Sequence, residues 1–328
     1  VGSEMCIRDR SMAGIEDGRG RFREVLCSVL EMHGSDVPDY RSCEDALTRV
    51  GNEPAGTGQP VELGPSSSDF LIGFVPGFGW DCFAEWLDIT NAVSTHMEKT
   101  GYSVSMIEVG GLSGSLMNAG QINTAFEGLG PEHDGKPVIL IGYSKGAVDI
   151  LEFVVNHPQA AERVKAVVSI SGSIGGSPLA IGATQEQAEL LQLVPGAKCS
   201  KGDRGVIESM LPEVRKQWLA DNPLPGHIRY YSVVSYPQPD RMSSGLKRGY
   251  KKLSKVDSRN DSQVIFYDQI IPGSTLVAFT NADHWAMAVP VKRSHKFIGA
   301  TFVNENDYPR EAFLEAVIRY VEEALSPL

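Results

Sequence analysis

The chain has 328 residues, which allows one large α/β domain or two smaller ones, and its 42% hydrophobic and 22% charged residues are ordinary for a globular protein. The formal net charge of −11 argues against a protein that binds nucleic acid or another polyanion. No apolar run approaches the roughly 18 residues that a membrane-spanning helix needs.

The amino-terminal part of the chain divides into two pieces. Residues 1–11 resemble the translated read-through of a sequencing adapter, so we exclude them from the fold reasoning and expect the true amino terminus, with any signal peptide, to be missing. Residues 12–60 are predicted to form a helical extension, because apolar residues recur at helical spacing between Arg21 and Met32. The sequence assigns this extension no role.

Residues 61–328 are predicted to form the main domain, in which strand-like and helix-like runs alternate. Strands are predicted over 70–75, 102–109, 136–141, 164–170, 228–235 and 275–279, and helices over 83–99, 118–129, 147–155 and 309–325. Such alternation is typical of a mostly parallel sheet with helices on both faces. Residues 178–225 interrupt it with two helix-like runs. They are either a cap over the mouth of the site or a decoration with no gating role.

Four cysteines remain outside the adapter-like segment, and none of them forms a Cys-x-x-Cys pair or a zinc pattern with histidine. The four are Cys27, Cys43, Cys82 and Cys199. An even count permits two disulfides in an exported protein and equally permits four thiols in a cytosolic one. The compartment stays open, with export slightly favoured.

The segment Gly142-Tyr143-Ser144-Lys145-Gly146 is the most informative motif of the chain. An apolar strand-like run precedes it and an apolar run at helical spacing follows it, which is the context of a nucleophile elbow. In such a turn the serine is held in a strained conformation with its hydroxyl exposed, and the flanking glycines let strand and helix approach closely. Ser144 is therefore the predicted nucleophile.

A serine nucleophile needs a base within hydrogen-bond reach, and the base needs a carboxylate to orient it. Of the histidines that follow Ser144, His284 stands directly after the last predicted strand and is the predicted base. His295 is the weaker candidate. His157 and His227 are predicted to lie away from the site.

The acid is chosen among aspartates that precede His284 in the chain. Asp268 lies in a loop between the last two strands and is preferred, with Asp240 as its rival. Asp283 adjoins His284 directly, but neighbouring loop residues rarely aim at one another's side chains.

Attack on a carbonyl builds negative charge on its oxygen, which requires preorganised backbone donors. The N–H of Lys145 is one predicted donor, and the N–H of Phe78, in the glycine-bearing turn after the first core strand, is the other. We expect the ammonium of Lys145 to be solvated. Phe78 and Trp80 are candidates for the wall of an acyl pocket, with plain core packing as the alternative.

Taken together, these motifs resemble the lipase and esterase branches of the α/β-hydrolase superfamily over about residues 68–328. The resemblance rests on the turn at 75–79, the helix start at 118–122, the elbow at 141–147, the segment 175–180 and the histidine loop at 282–284. Asp268-Gln269-Ile270-Ile271-Pro272 is similar to the Asp-Gly-x-Val-Pro acid loop of lipases, with Gln269 in place of glycine. Pro76 stands where many lipases have histidine.

The resemblance implies an α/β-hydrolase fold and a serine hydrolase that cleaves carboxylic esters through an acyl-enzyme. This chemistry needs no metal or organic cofactor, and the implied partner is a small-molecule or lipid ester. A thioesterase or amidase with the same three residues is one alternative. A non-catalytic scaffold that binds a lipid or a partner is another. The sequence leaves the oligomeric state open.

Overall fold

A computed structural model describes residues 14–87, 89–193 and 197–326, and its centre is a seven-stranded sheet in which every neighbouring pair is parallel. The order across the sheet is β1-β7-β6-β5-β4-β2-β3. In chain order the strands are β1 (Glu16–Asp17), β2 (Leu71–Val75), β3 (Val104–Met106), β4 (Val138–Tyr143), β5 (Val164–Ile170), β6 (Arg229–Ser235) and β7 (Thr275–Thr280).

The helices of the described residues cover both faces of this sheet. They are α1 (Arg19–His33), α2 (Cys43–Ala46), α3 (Trp80–Leu87), α4 (Ile89–Lys99), α5 (Ser115–Glu127), α6 (Lys145–Asn156), α7 (Pro158–Ala161), α8 (Gln185–Glu189), α9 (Pro212–Asp221), α10 (Lys247–Leu253), α11 (Val291–Ser294), α12 (Lys296–Thr301) and α13 (Arg310–Leu325). None of these helices is long and apolar enough to cross a bilayer.

The predicted α/β-hydrolase architecture is confirmed, with all six predicted strands present. Sequence reasoning missed β1, because a two-residue edge strand has no periodicity to detect. The helix predicted over 83–99 is present as α3 and α4, on either side of residue 88, which lies outside the described residues. The adapter-like segment 1–11 also lies outside them.

Strand β4 shows how alternation divides the core into two layers. Ile139 and Ile141 point to the face covered by α1, α4 and α13, while Val138 and Leu140 point to the face covered by α5 and α6. Because consecutive strand side chains point to opposite faces, a strand buried on both sides must be apolar throughout. All six residues of β4 are buried, and β4 lies inside the sheet between β5 and β2. The turn that follows β4 is therefore flanked by strands on both sides at the carboxyl edge of the sheet.

The amino-terminal extension packs on the same sheet as the rest of the chain. Helix α1 lies against α13, where the Phe22 and Phe313 rings meet edge to face with centroids 5.5 Å apart. Beyond α1, the chain reaches the end of β7, and Ala46 O accepts the N–H of Asn281 at 2.9 Å. The extension therefore borders the loop that carries His284.

Two disulfides form among the four cysteines. Cys27–Cys43 closes a loop within the extension, and Cys82–Cys199 joins α3 to the segment 178–225. Disulfides of this kind are typical of proteins that fold in an oxidising compartment.

Candidate active site

The turn between β4 and α6 holds Ser144 in a backbone conformation that residues other than glycine rarely adopt, with φ 54° and ψ −121°. A Cβ at Gly142 would collide with the backbone of Ala147, and a Cβ at Gly146 would collide with the carbonyl oxygen of Val75. Steric exclusion thus explains the glycine on each side of the serine, and the elbow presents Ser144 at the carboxyl edge of the sheet.

His284 lies in the loop after β7, directly opposite Ser144. Its Nε2 is 2.9 Å from Ser144 Oγ, so the ring can accept the serine proton. The hydroxyl of Tyr143 donates to the carbonyl oxygen of His284 at 2.7 Å. Burial raises the pKa of Tyr143 well above its usual value, so this donor keeps its proton. The two residues that sequence reasoning paired are therefore together in the structure.

The carboxylate on the other side of the imidazole belongs to Asp261. Its Oδ2 lies 2.7 Å from His284 Nδ1, and the side chain is fully buried. Its Oδ1 accepts the backbone N–H groups of Gln263 and Val264 at 2.9 and 2.8 Å. These bonds orient the carboxylate, so that Oδ2 alone faces the histidine.

The preference for Asp268 as this carboxylate was wrong, and so was its rival. Asp268 lies on a short helical turn, where its carboxylate approaches the backbone of Gly175 and its carbonyl oxygen accepts the Gly175 N–H at 2.8 Å. Asp240 lies on an exposed turn after β6. The position opposite His284 Nδ1 is taken by Asp261, from a loop that sequence reasoning passed over.

A signal for Asp261 was present in the sequence. Asp261-Ser262-Gln263-Val264 matches the Asp-Gly-x-Val part of the acid-loop pattern, with serine in place of glycine. Ser262 has φ 83°, the conformation that glycine favours. Gln269, at the same place in the other match, lies in a helical turn. The two segments thus differ in the backbone conformation of the residue that follows the aspartate. The Pro at the end of the motif does not reveal this difference.

Asp283 has a structural position next to His284. Its two carboxylate oxygens accept the backbone N–H groups of Ser243 and Ala286, both at 2.9 Å. Burial raises the pKa of the Asp283 carboxyl, although both hydrogen bonds lower it. Asp283 therefore fixes the path of the histidine loop and does not face the imidazole nitrogens.

The turn after β2 lies directly over Ser144. A Cβ at Gly77 would lie 2.9 Å from Ser144 Cβ, and the Gly79 N–H donates to Gly111 O at 2.9 Å. Among the described residues, the backbone N–H groups of Phe78 and Lys145 have no protein acceptor. Both of the donors named from the sequence are therefore available to a ligand.

The ammonium of Lys145 is not solvated, contrary to the sequence-based expectation. The side chain is 1% exposed, and Nζ is 2.6 Å from Asp149 Oδ1. The other oxygen of Asp149 accepts from Asn118 Nδ2 at 2.7 Å. This buried ion pair joins the first turn of α6 to α5 and leaves only the backbone of Lys145 toward the site.

Ser144 and His284 lie in the wall of a cavity of about 530 Å³. Phe78 and Trp80 both line it, in agreement with the acyl-pocket interpretation, and so does His295. Its apolar lining includes Phe83, Leu179, Leu191, Ile207, Met210, Trp285, Val289, Val291, Ile298, Phe302 and Val303. Several of these come from residues 178–225, so that segment forms part of the cavity wall.

No protein-family model and no curated protein matches the chain. Among solved structures, the metagenomic carboxyl esterase MGS0156 is 38% identical, over 96% of this chain and 95% of that chain, with a TM-score of 0.89. The chain belongs to the carboxyl esterases of the α/β-hydrolase fold. It is accordingly a carboxylic ester hydrolase.

Two more distant structures share the fold of this esterase. The mature lipase BlEst2 of Bacillus licheniformis is 21% identical, over 73% of this chain and 93% of that chain, with a TM-score of 0.54. EstA of Clostridium botulinum is 12% identical, over 91% of this chain and 97% of that chain, with a TM-score of 0.53. The alignment with MGS0156 covers 96% of this chain, so it includes most of the amino-terminal extension. The likeness therefore extends beyond the common sheet.

Proposed function

We propose that the esterase cleaves its substrate by acyl-enzyme chemistry, with Ser144 as nucleophile, His284 as base and Asp261 as the carboxylate that orients the base. The observation that carries this proposal is the unbroken hydrogen-bonded chain from Ser144 Oγ to His284 Nε2, at 2.9 Å, and from His284 Nδ1 to Asp261 Oδ2, at 2.7 Å. Ser144, at one end of these hydrogen bonds, lies in the wall of an apolar cavity. This is the constellation that activates a serine hydroxyl.

In the first half of the reaction, Ser144 Oγ bonds to the ester carbonyl carbon while its proton passes to His284 Nε2. The imidazolium that forms is stabilised by the Asp261 carboxylate, which the Gln263 and Val264 N–H groups hold in place. The carbon–oxygen bond to the alcohol then breaks, and the leaving oxygen takes the proton from Nε2. Ser144 is left as an ester of the acyl group.

In the second half, a water molecule gives a proton to His284 Nε2 and its oxygen bonds to the acyl carbon. The proton returns to Ser144 Oγ as the bond to the serine breaks, and the carboxylic acid leaves. In both halves the negative charge on the carbonyl oxygen is placed against the N–H groups of Lys145 and Phe78. Donors fixed in the backbone stabilise that charge without rearranging.

The proposed substrate is a small-molecule ester with an apolar acyl group. A cavity of about 530 Å³ lies within the range of pockets that enclose small ligands, and its side chains are mainly aliphatic and aromatic. The likeness to a protein described as a carboxyl esterase supports the same class of substrate. Apolar lining stabilises an acyl chain roughly in proportion to the area removed from water.

The proposal is tested with p-nitrophenyl esters of graded chain length and with a fluorophosphonate, which reacts only with an activated serine. The variant Ser144→Ala should lower kcat on the order of 10⁶-fold and abolish labelling. Ser326→Ala is the matched control, since the hydroxyl of Ser326 donates to Glu322 O at the exposed end of α13. Labelling without ester turnover would direct attention to thioesters or amides. A folded wild type that is neither labelled nor active would sink the proposal.

A further inference from the structure

Three side chains from three helices converge on one point outside the active-site cavity. They are His33 at the end of α1, His96 in α4 and Glu315 in α13. The Nε2 atoms of His33 and His96 lie 2.7 and 2.8 Å from the same carboxylate oxygen, Glu315 Oε2. All three atoms lie within 4.8 Å of one another, close enough for a single ion to contact them all after a small shift.

The surroundings of Glu315 hold its carboxylate in a fixed direction. The side chain is fully buried, and its other oxygen, Oε1, accepts from Arg319 Nε at 2.8 Å. Arg319 is itself anchored by donating to the carbonyl oxygens of Glu62 and Gly64, at 2.9 and 3.1 Å. Only Oε2 is left to face the two imidazoles.

The two histidines are accessible from outside. Their side chains are 23% and 16% exposed, and both border a cavity of about 340 Å³ whose lining also includes Asp36 and Lys99. None of these residues lines the cavity that contains Ser144. An ion can therefore reach the three ligand atoms, and water has room to complete its coordination.

Two imidazoles and one carboxylate form the donor set that zinc and neighbouring divalent transition metals select in proteins. We propose that His33, His96 and Glu315 bind one divalent transition-metal ion, with Zn²⁺ as the reference ion and water as the remaining ligand. Coordination uses the lone pair of each Nε2, so the ring proton must be on Nδ1. Any proton on Nε2 must therefore move to Nδ1 before the ion binds.

Binding requires a small opening of the cluster. Two ligands about 2.0–2.1 Å from a tetrahedral zinc are roughly 3.3 Å apart, so each nitrogen–oxygen distance must lengthen by about 0.6 Å. The partly exposed imidazoles can make this shift, whereas the carboxylate is held by Arg319. The positive charge of Arg319 is already paired with Oε1, which limits its repulsion of the ion.

The bound ion would join the amino-terminal extension to the main domain. His33 belongs to the extension, whereas His96 and Glu315 belong to helices that cover the sheet. An ion that binds the folded chain and not the unfolded one raises the melting temperature. The expected effect is therefore on stability, with no change in the steps carried out at Ser144.

The test uses the full chain without an affinity tag, treated with EDTA and then titrated with ZnCl₂ by calorimetry, and with CoCl₂ by visible absorption. We expect one ion per chain, and a melting temperature higher by about 4 °C when free Zn²⁺ exceeds Kd 100-fold. Tetrahedral Co²⁺ should give visible bands. Wild type that binds no ion in either titration would overturn the proposal.

Conservative variants locate the ion. His96→Gln and His33→Gln each keep an N–H donor for Glu315 and should weaken Zn²⁺ binding at least about 10-fold. If His96→Gln fails to fold, His33→Gln at the more exposed position decides the test. His133→Gln is the matched control, because His133 lies on a surface turn beside Glu132. Equal binding by both cluster variants and the control would show that the cluster is only a hydrogen-bonded contact.

Discussion

The serine side and the histidine side of the active site are held together in different ways. On the serine side, backbone packs directly on backbone: Gly142 and Gly146 let the elbow close against Ala147 and against the turn after β2. This close packing is possible because Gly142 and Gly146 have no side-chain atoms to keep the backbone segments apart.

On the histidine side, hydrogen bonds from distant parts of the chain hold the loop. Asn281 donates through its backbone N–H to Ala46 O, and its carbonyl oxygen accepts from Arg41 Nη1 at 2.9 Å. The His284 N–H donates to Asp261 O at 3.1 Å. The amino-terminal extension, for which the sequence suggested no role, thus supports the loop that carries His284.

The two sides should therefore tolerate different substitutions. Added volume should disrupt the serine side, because a rigid backbone has no room to shift. A removed hydrogen bond should disturb the histidine side, because each one fixes part of a loop that lacks regular structure. One substitution on each side, with a matched control, tests this contrast.

The largest effect is expected from Gly142→Ala, which adds one methyl group to the elbow. Its Cβ would meet the backbone of Ala147, so strand β4 and helix α6 would have to separate. We expect a destabilisation of about 3 kcal/mol, a melting temperature lower by about 5 °C, and loss of most activity.

Gly120→Ala is the control for that experiment. Gly120 lies within α5, and a Cβ there meets nothing within 4 Å. Alanine is the better helix former by about 1 kcal/mol, so this variant should be as stable as wild type or slightly more so. Similar melting temperatures for the two variants would contradict the steric account of the elbow.

A smaller effect is expected from Tyr143→Phe, which removes one hydrogen bond and no volume. The lost bond joins the residue before the nucleophile to the carbonyl oxygen of His284, at 2.7 Å. We expect kcat to fall by about 3- to 10-fold with KM nearly unchanged, since the base is repositioned while the acyl cavity is intact.

Tyr230→Phe provides the comparison. The hydroxyl of Tyr230 also donates to a backbone carbonyl oxygen, that of Pro225, but at the opposite end of β6 from the site. This variant should lose a similar, small amount of stability and keep its kcat. An equal fall of kcat in both variants would mean that Tyr143 acts only through stability.

The elbow and the sheet could be predicted from the sequence because their causes are local. Alternating apolar runs and two glycines around Ser144 depend on neighbours a few residues away. The position of His284 opposite Ser144 was also predictable, because His284 follows the last strand. The burial of the Lys145 ammonium was not, because its partner Asp149 and the amide of Asn118 form a network that only the packing of α5 on α6 creates.

Asp261 was missed because its position depends on a loop and not on chain order. Both Asp261 and Asp268 fall between β6 and β7, so topology admits either. The decisive feature is the positive φ of Ser262, which lets the backbone turn so that two N–H groups meet Asp261 Oδ1. A serine in a glycine's position conceals that turn from sequence inspection.

The proposed role of Asp261 is tested most directly by comparing kcat of Asp261→Asn with that of Asp268→Asn. An asparagine at 261 would keep its oxygen toward the Gln263 and Val264 N–H groups and turn its amide toward His284 Nδ1. That favours the imidazole tautomer with a proton on Nε2, which is unable to accept the proton of Ser144. We predict a fall of about 10³- to 10⁴-fold for Asp261→Asn, against less than about 10-fold for Asp268→Asn. A larger loss in Asp268→Asn would contradict the assignment of Asp261.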